Sequence, residues 1–185
     1  MADELTRRAA RLSALIAVPL AVIVGAVVFF SLHGHVNAQA AATPSAAPSA
    51  TSSAPVTMTA PALSAAHKQM CLAFIAALPT SVRDLSERHV TTGAEQNAAF
   101  GDPPVTAQCG APAATVAATD TIYPMSNVCW HAQTSGTTTV WTTVDREVPI
   151  AITIPATYAD PGQWANEFSP AIVQTMPRIK TPYNC

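Results

Sequence analysis

The stretch TSGTTTVWTTVDREVPIAITI, residues 134–154, decides the fold. Ser135-Gly136 is a turn signal. The run after it is rich in β-branched and aromatic residues, which suit a pleated, half-buried surface. Ile150, Ile152 and Ile154 alternate with Ala151 and Thr153, so one face of that segment is buried. Two strands are predicted, over 137–144 and 148–154, joined through Asp145-Arg146-Glu147.

Working outward, strands are also expected over 105–109, 114–118 and 128–133. Between residues 91 and 104 lies the polar stretch TTGAEQNAAFGDPP, read as a loop ending in the turn Gly101-Asp102-Pro103-Pro104. Upstream, Met70, Cys71, Phe74, Ile75 and Leu78 recur at helical spacing behind Ser64, a good N-cap. Pro79 ends that helix, because the residue before proline avoids the helical region. A second helix is expected over 81–89, with Val82 and Leu85 inward. Downstream, Asp160-Pro161 opens a helix. Trp164, Phe168, Ile172 and Met176 then recur at intervals of four, with Ser169-Pro170 as a break. Helix, sheet and helix in sequence predict an α+β domain over 64–185, with helices packed on a mainly antiparallel sheet.

The rest of the chain is different in kind. Residues 12–32 form an uncharged apolar run of 21 residues, preceded by Arg7, Arg8 and Arg11; no Lys or Arg follows until Lys68. About 20 apolar residues span a bilayer as a helix, and the basic flank stays cytoplasmic. The expected layout is a cytoplasmic N-terminus over 1–11 and a single-pass transmembrane helix over 12–32. An Ala/Pro/Ser/Thr linker, disordered or polyproline-like, follows over 33–63, and then the extracytoplasmic domain. The alternative is a secretory signal cleaved near Val36-Asn37-Ala38 or Ala38-Gln39-Ala40, but signal cores run about 7–15 apolar residues.

The outer region carries six basic and nine acidic residues without a basic cluster. A nucleic-acid partner needs a positive patch, so none is expected. All four cysteines, Cys71, Cys109, Cys129 and Cys185, lie beyond the apolar run, where disulfides persist. An even count there points to two disulfides. Of the three pairings, Cys71–Cys109 with Cys129–Cys185 is favoured: one would tie the first helix to a strand, the other would pin the chain's end to the sheet. Spacing alone does not choose. No Cys-x-x-Cys pair supports zinc or redox chemistry, and no metal or cofactor is expected.

Motifs for hydrolysis, phosphate binding or metalloprotease chemistry are missing. His67, His89 and His131 have no ligand spacing to one another and read as structural. The best polar constellation is Asp145-Arg146-Glu147. In an extended segment its two carboxylates would share a face, as an acid/base pair would require, and Arg146 would be free to grip an anion. The competing reading is a turn or strand-edge ion pair. Trp141 and Trp164 are candidates for a peptide or glycan groove, against a plain core role.

Three segments carry a family resemblance: MCLAFIAALP at 70–79, GDPPVTAQCG at 101–110 and VWTTVDREVPIAITIP at 140–155. The chain resembles the actinobacterial single-pass envelope proteins of domain-of-unknown-function family 3515 over nearly all of the outer region. Cys71 and Cys109 correspond to the family's two cysteines, which supports their pairing and, by extension, that of Cys129 with Cys185. Phe100 and Gln108 stand where the family often has Trp and Arg. The resemblance implies an envelope location and no known reaction. The expected function is a non-catalytic interaction module with a protein partner in the envelope. The alternative is an enzyme or binding protein for cell-wall precursors or glycans, which the resemblance implies through the family's association with genes of that chemistry.

Overall fold

The computed structural model describes residues 54–183 and Cys185. The expected cytoplasmic N-terminus, the transmembrane helix over 12–32 and the linker up to residue 53 lie outside the described residues. Among the described residues, no helix is long and apolar enough to cross a membrane.

Helix α1 spans Ala65–Ala76 behind the predicted cap, where the Ser64 side chain accepts a hydrogen bond from the His67 amide at 3.2 Å. It buries Cys71 and Phe74. Eight strands follow among the described residues: β1 Ser81–Val82, β2 Leu85–Arg88, β3 Asn97–Phe100, β4 Val105–Cys109, β5 Ile122–Met125, β6 Val128–Ser135, β7 Thr138–Thr143 and β8 Ile150–Pro155. They form one sheet in the order β1-β2-β3-β4-β8-β7-β6-β5, antiparallel at every pairing. Two four-stranded meanders thus meet where β4 pairs with β8. The connection from β4 must travel from the sheet centre to its far edge before β5 begins. Helices α2, Pro161–Asn166, and α3, Ser169–Thr175, complete the domain. The mainly antiparallel sheet with a few helices agrees with the α+β expectation.

The register fixes which side is core. Ala107, Ile152 and Trp141 stand abreast across β4, β8 and β7. Side chains two apart on each strand share their face, which brings Phe100, Val105, Cys109, Ile150, Ile154, Trp130 and Val128 into one buried cluster with Phe74, Trp164, Phe168 and Ile172. A Cβ on Gly162 of α2 would lie 3.1 Å from the Trp141 ring, so this helix seats directly on that indole. Phe100 meets Phe168 edge to face at 5.9 Å.

Four local expectations need correction. Residues 81–89 do not form a helix but the β1–β2 hairpin, with Val82 opposite Leu85 and Arg83 at φ 54° in the turn. The positive φ costs a non-glycine residue about 1–2 kcal/mol. Two contacts offset it: Arg83 Nε reaches Glu167 Oε1 at 3.0 Å, and its guanidinium lies 4.5 Å over the Trp164 ring. Residues 97–100, read as loop, form a fully buried strand between β2 and β4. Residues 114–118, read as a strand, belong to the β4–β5 connection and pair with nothing in the sheet. Finally, residues 54–63, assigned to the linker, are tied to the domain, and Leu63 packs against its core. Val56 bridges Val90 in parallel. The Thr59 carbonyl accepts from Asn97 Nδ2 at 2.9 Å and Gln108 Nε2 at 2.8 Å. These amides exist to satisfy a strap without regular structure of its own.

Candidate functional site

Asp145 and Arg146 come at the end of β7, where the chain leaves the sheet before β8. Both are buried, Asp145 completely and Arg146 to 4% exposure. Asp145 Oδ1 accepts from the Cys129 amide at 3.1 Å, and Oδ2 lies 3.1 Å from Arg146 Nη1 and 3.2 Å from Arg178 Nε. Its carbonyl accepts from the Ile179 amide at 3.0 Å, and the Glu147 amide donates to the Pro177 carbonyl at 3.0 Å. Arg146 Nη2 donates to the Asn127 carbonyl. Burial depresses the Arg146 guanidinium below its ordinary range, against the opposing pull of Asp145, while Arg178 depresses it further. This one carboxylate therefore ties together β6, the β7–β8 connection and the closing segment of the chain.

The expected pair of carboxylates does not form. The segment turns rather than extends, which buries Asp145 and leaves Glu147 at the surface, 4.0 Å from His67 Nε2. Arg146, with its Nη atoms committed and its Nε buried, offers no free fork to an anion. A cleft of about 400 Å³ beside it is lined by Arg146, Glu147, Ile179, Lys180 and Tyr183 among others. Trp141 and Trp164 sit in the same core, each 7% exposed. Trp141 packs on Tyr123 at 5.1 Å and Trp164 on Tyr158 at 4.9 Å, and Trp164 Nε1 donates to the Ala159 carbonyl at 3.1 Å. They form no open groove.

The disulfides are Cys71–Cys109 and Cys129–Cys185. The first clamps α1 to β4, and the second pins the chain's last residue beside Asp145. Two disulfides mark a domain that folds in an oxidising compartment. Phe100 and Gln108, at the two positions that differ from the resembling family, serve as core aromatic and strap anchor.

One constellation escaped the sequence reading. His131 on β6 faces away from the helices, is 6% exposed, and places Nε2 2.9 Å from Asp120 Oδ2. Asp120 also accepts from the Ala117 amide at 2.9 Å. That amide first, and His131 second, hold its carboxyl below the usual range. Around the pair, Thr119, Thr121, Tyr123, Gln133 and Thr134 line an open polar cleft of about 370 Å³. The two residues stand eleven apart across an irregular connection, a spacing that no motif encodes; only the Thr-Asp-Thr end of that connection before a strand hints at it. Among the described residues, no three His, Cys, Asp or Glu side chains gather to hold a metal.

Neither the curated proteins nor the solved structures yield a match to the chain. The family described as "Protein of unknown function (DUF3515)" matches residues 16–181, most of the chain, and the protein belongs to that family.

Proposed function

We propose that this is a membrane-anchored extracytoplasmic protein of the cell envelope whose folded domain is a non-catalytic interaction module, an accessory subunit of a membrane or envelope complex. The observation that carries the reading is the outer side of the helical layer. Helix α1 buries Cys71 and Phe74; its exposed positions are Ala65, Ala66, Lys68, Gln69, Leu72, Ala73 and Ala76, so one charge stands among mainly apolar side chains. Leu72 is 48% exposed, and Val173 on α3, which packs against α1, is 45% exposed. A helix at a protein–water boundary ordinarily turns a polar, charged face outward. Large apolar side chains exposed on two neighbouring helices support a contact made elsewhere. The charged candidates point the same way, since Asp145 and Arg146 are consumed in holding the fold. The uncharged segment 12–32 supplies the proposed single-pass anchor.

The test is in-cell crosslinking of the full-length tagged protein, followed by mild-detergent purification and mass spectrometry. One membrane complex at near-equal stoichiometry supports the reading. Recovery of the protein alone counts against it.

A second reading, an enzyme or binding protein for cell-wall precursors or glycans, rests on the Asp120–His131 pair in its polar cleft. A carboxylate that orients an imidazole is a common base assembly. It predicts that His131→Gln abolishes a ligand-dependent signal of the wild type. Loss of no such signal across a panel of wall precursors would remove it.

A further inference from the structure

We propose that Cys129–Cys185 is an exchangeable disulfide, reduced by a dithiol oxidoreductase of the envelope, whereas Cys71–Cys109 is permanently structural. Three differences separate the two bonds. The first is access. Cys71 and Cys109 are both 0% exposed beneath α1. Cys185 is partly exposed, and its bond with Cys129 lines a cleft of about 280 Å³ together with Pro124, Asn127 and Arg178.

The second difference is charge. Arg178 Nη2 stands 3.7 Å from Cys129 Sγ and also donates to the Cys185 backbone oxygen at 2.8 Å. A cation beside a sulfur stabilises the thiolate and makes that sulfur the better leaving group. The charged groups around Cys129 are Arg178 and the Cys185 carboxyl from the closing segment, and Asp145 and Arg146 from the β7–β8 connection. Of these, Arg178 is the one placed against the sulfur itself.

The third difference is direction. Cys129 is 1% exposed, so a thiolate from outside reaches Cys185 first. Its sulfur attacks Cys185 Sγ, the Cys129–Cys185 bond breaks, and Cys129 departs with the electron pair as a thiolate beside Arg178. The second thiolate of the attacking dithiol then attacks its own sulfur in the mixed disulfide. Cys185 is released and takes a proton from water. The dithiol ends oxidised, and this chain has gained two electrons. The start of the closing segment is then retained near the sheet by the Glu147–Pro177 and Ile179–Asp145 backbone bonds.

The experiment uses the full-length chain in mild detergent. It is exposed to dithiothreitol for graded times, quenched by alkylation, and read by peptide mass spectrometry. Cys129 and Cys185 are expected to label at least about tenfold faster than Cys71 and Cys109. Equal rates, or faster labelling of Cys71 and Cys109, overturn the proposal. A second measurement isolates the role of Arg178. With Cys185→Ser, Cys129 is a free thiol, and its alkylation rate against pH should turn at least about one unit below the ordinary 8.5. Adding Arg178→Gln should return it toward that value. A midpoint at or above 8.5 in the single variant refutes the assignment of Cys129 as leaving group. The first measurement needs no substitution, so it decides the question even where a variant fails to fold.

Discussion

Replacing Asp145 by alanine tests whether that carboxylate is the structural knot that the geometry implies. The side chain has no solvent exposure and answers three donors: the Cys129 amide, Arg146 Nη1 and Arg178 Nε. Its loss strands Arg146, 4% exposed, with a buried charge and an already unpartnered Nε. Breaking a buried pair from one side costs about 3–5 kcal/mol. The contact with Arg178, whose side chain is 53% exposed, adds little because water screens it. The expected loss is therefore about 3–5 kcal/mol, set by Arg146. The chain's three tryptophans all lie in this domain and all are buried, so denaturant unfolding of the full-length protein in mild detergent can be followed by their fluorescence. A companion variant separates charge from packing. Asp145→Asn with Arg146→Met should lose less than Asp145→Asn alone, because no charge is left unpaired. A loss under about 1 kcal/mol for Asp145→Ala, within the range of an exposed pair, would mean that Asp145 is not a knot of the fold.

Other outcomes follow from single contacts. Removing the Cys71–Cys109 bond, which spans 38 residues, should cost about 4 kcal/mol by loop-closure entropy, measured by denaturant titration of Cys71→Ala/Cys109→Ala. The lowered Asp120 carboxyl contributes stability that is present above about pH 4 and lost as pH falls through its depressed value. An acid titration of Asp120→Asn should lack that component. Tyr158 is raised first by burial and then by Asp102 and Asp84, so stability should fall as pH rises past about 10. Tyr158→Phe should remove that fall and cost about 1 kcal/mol through the bond to the Pro103 carbonyl, 2.7 Å long. Leu72→Asp should leave stability within about 0.5 kcal/mol, since the side chain is exposed, while abolishing recovery of the partner.

The parts of the fold that were legible in sequence are those where local chemistry and burial agree. Ser64, Ser135-Gly136 and Ser169-Pro170 stand at element ends as expected, and the isoleucines of β8 line one face. The misread parts are those where tertiary pairing overrides local preference. Val82 and Leu85 fit a helix by spacing, and no glycine announces the turn at Arg83, which is sustained by Trp164 and Glu167 far along the chain. Asn97-Ala98-Ala99-Phe100 has little strand character of its own and is a strand because β2 and β4 flank it. The β5–β6 hairpin turns at Ser126-Asn127, both at positive φ, a signal that Asn carries weakly. Strand β5 holds Pro124, which its edge position tolerates. The candidate site was half legible. Asp145-Arg146 stood out as charge between apolar strands, but Arg178, which completes the cluster, lies 33 residues beyond Asp145 in an unremarkable segment. The Asp120–His131 pair joins an irregular connection to a strand, and no periodicity reports such a meeting.

The interaction reading stands or falls on whether the outer face of α1 meets a partner. A photo-crosslinking residue at position 72 of the full-length protein in cells decides it, with position 137, in the exposed turn between β6 and β7, as the control. One dominant protein adduct is expected from position 72 and none from position 137. No adduct from position 72, or the same scatter of adducts from both, would overturn the reading.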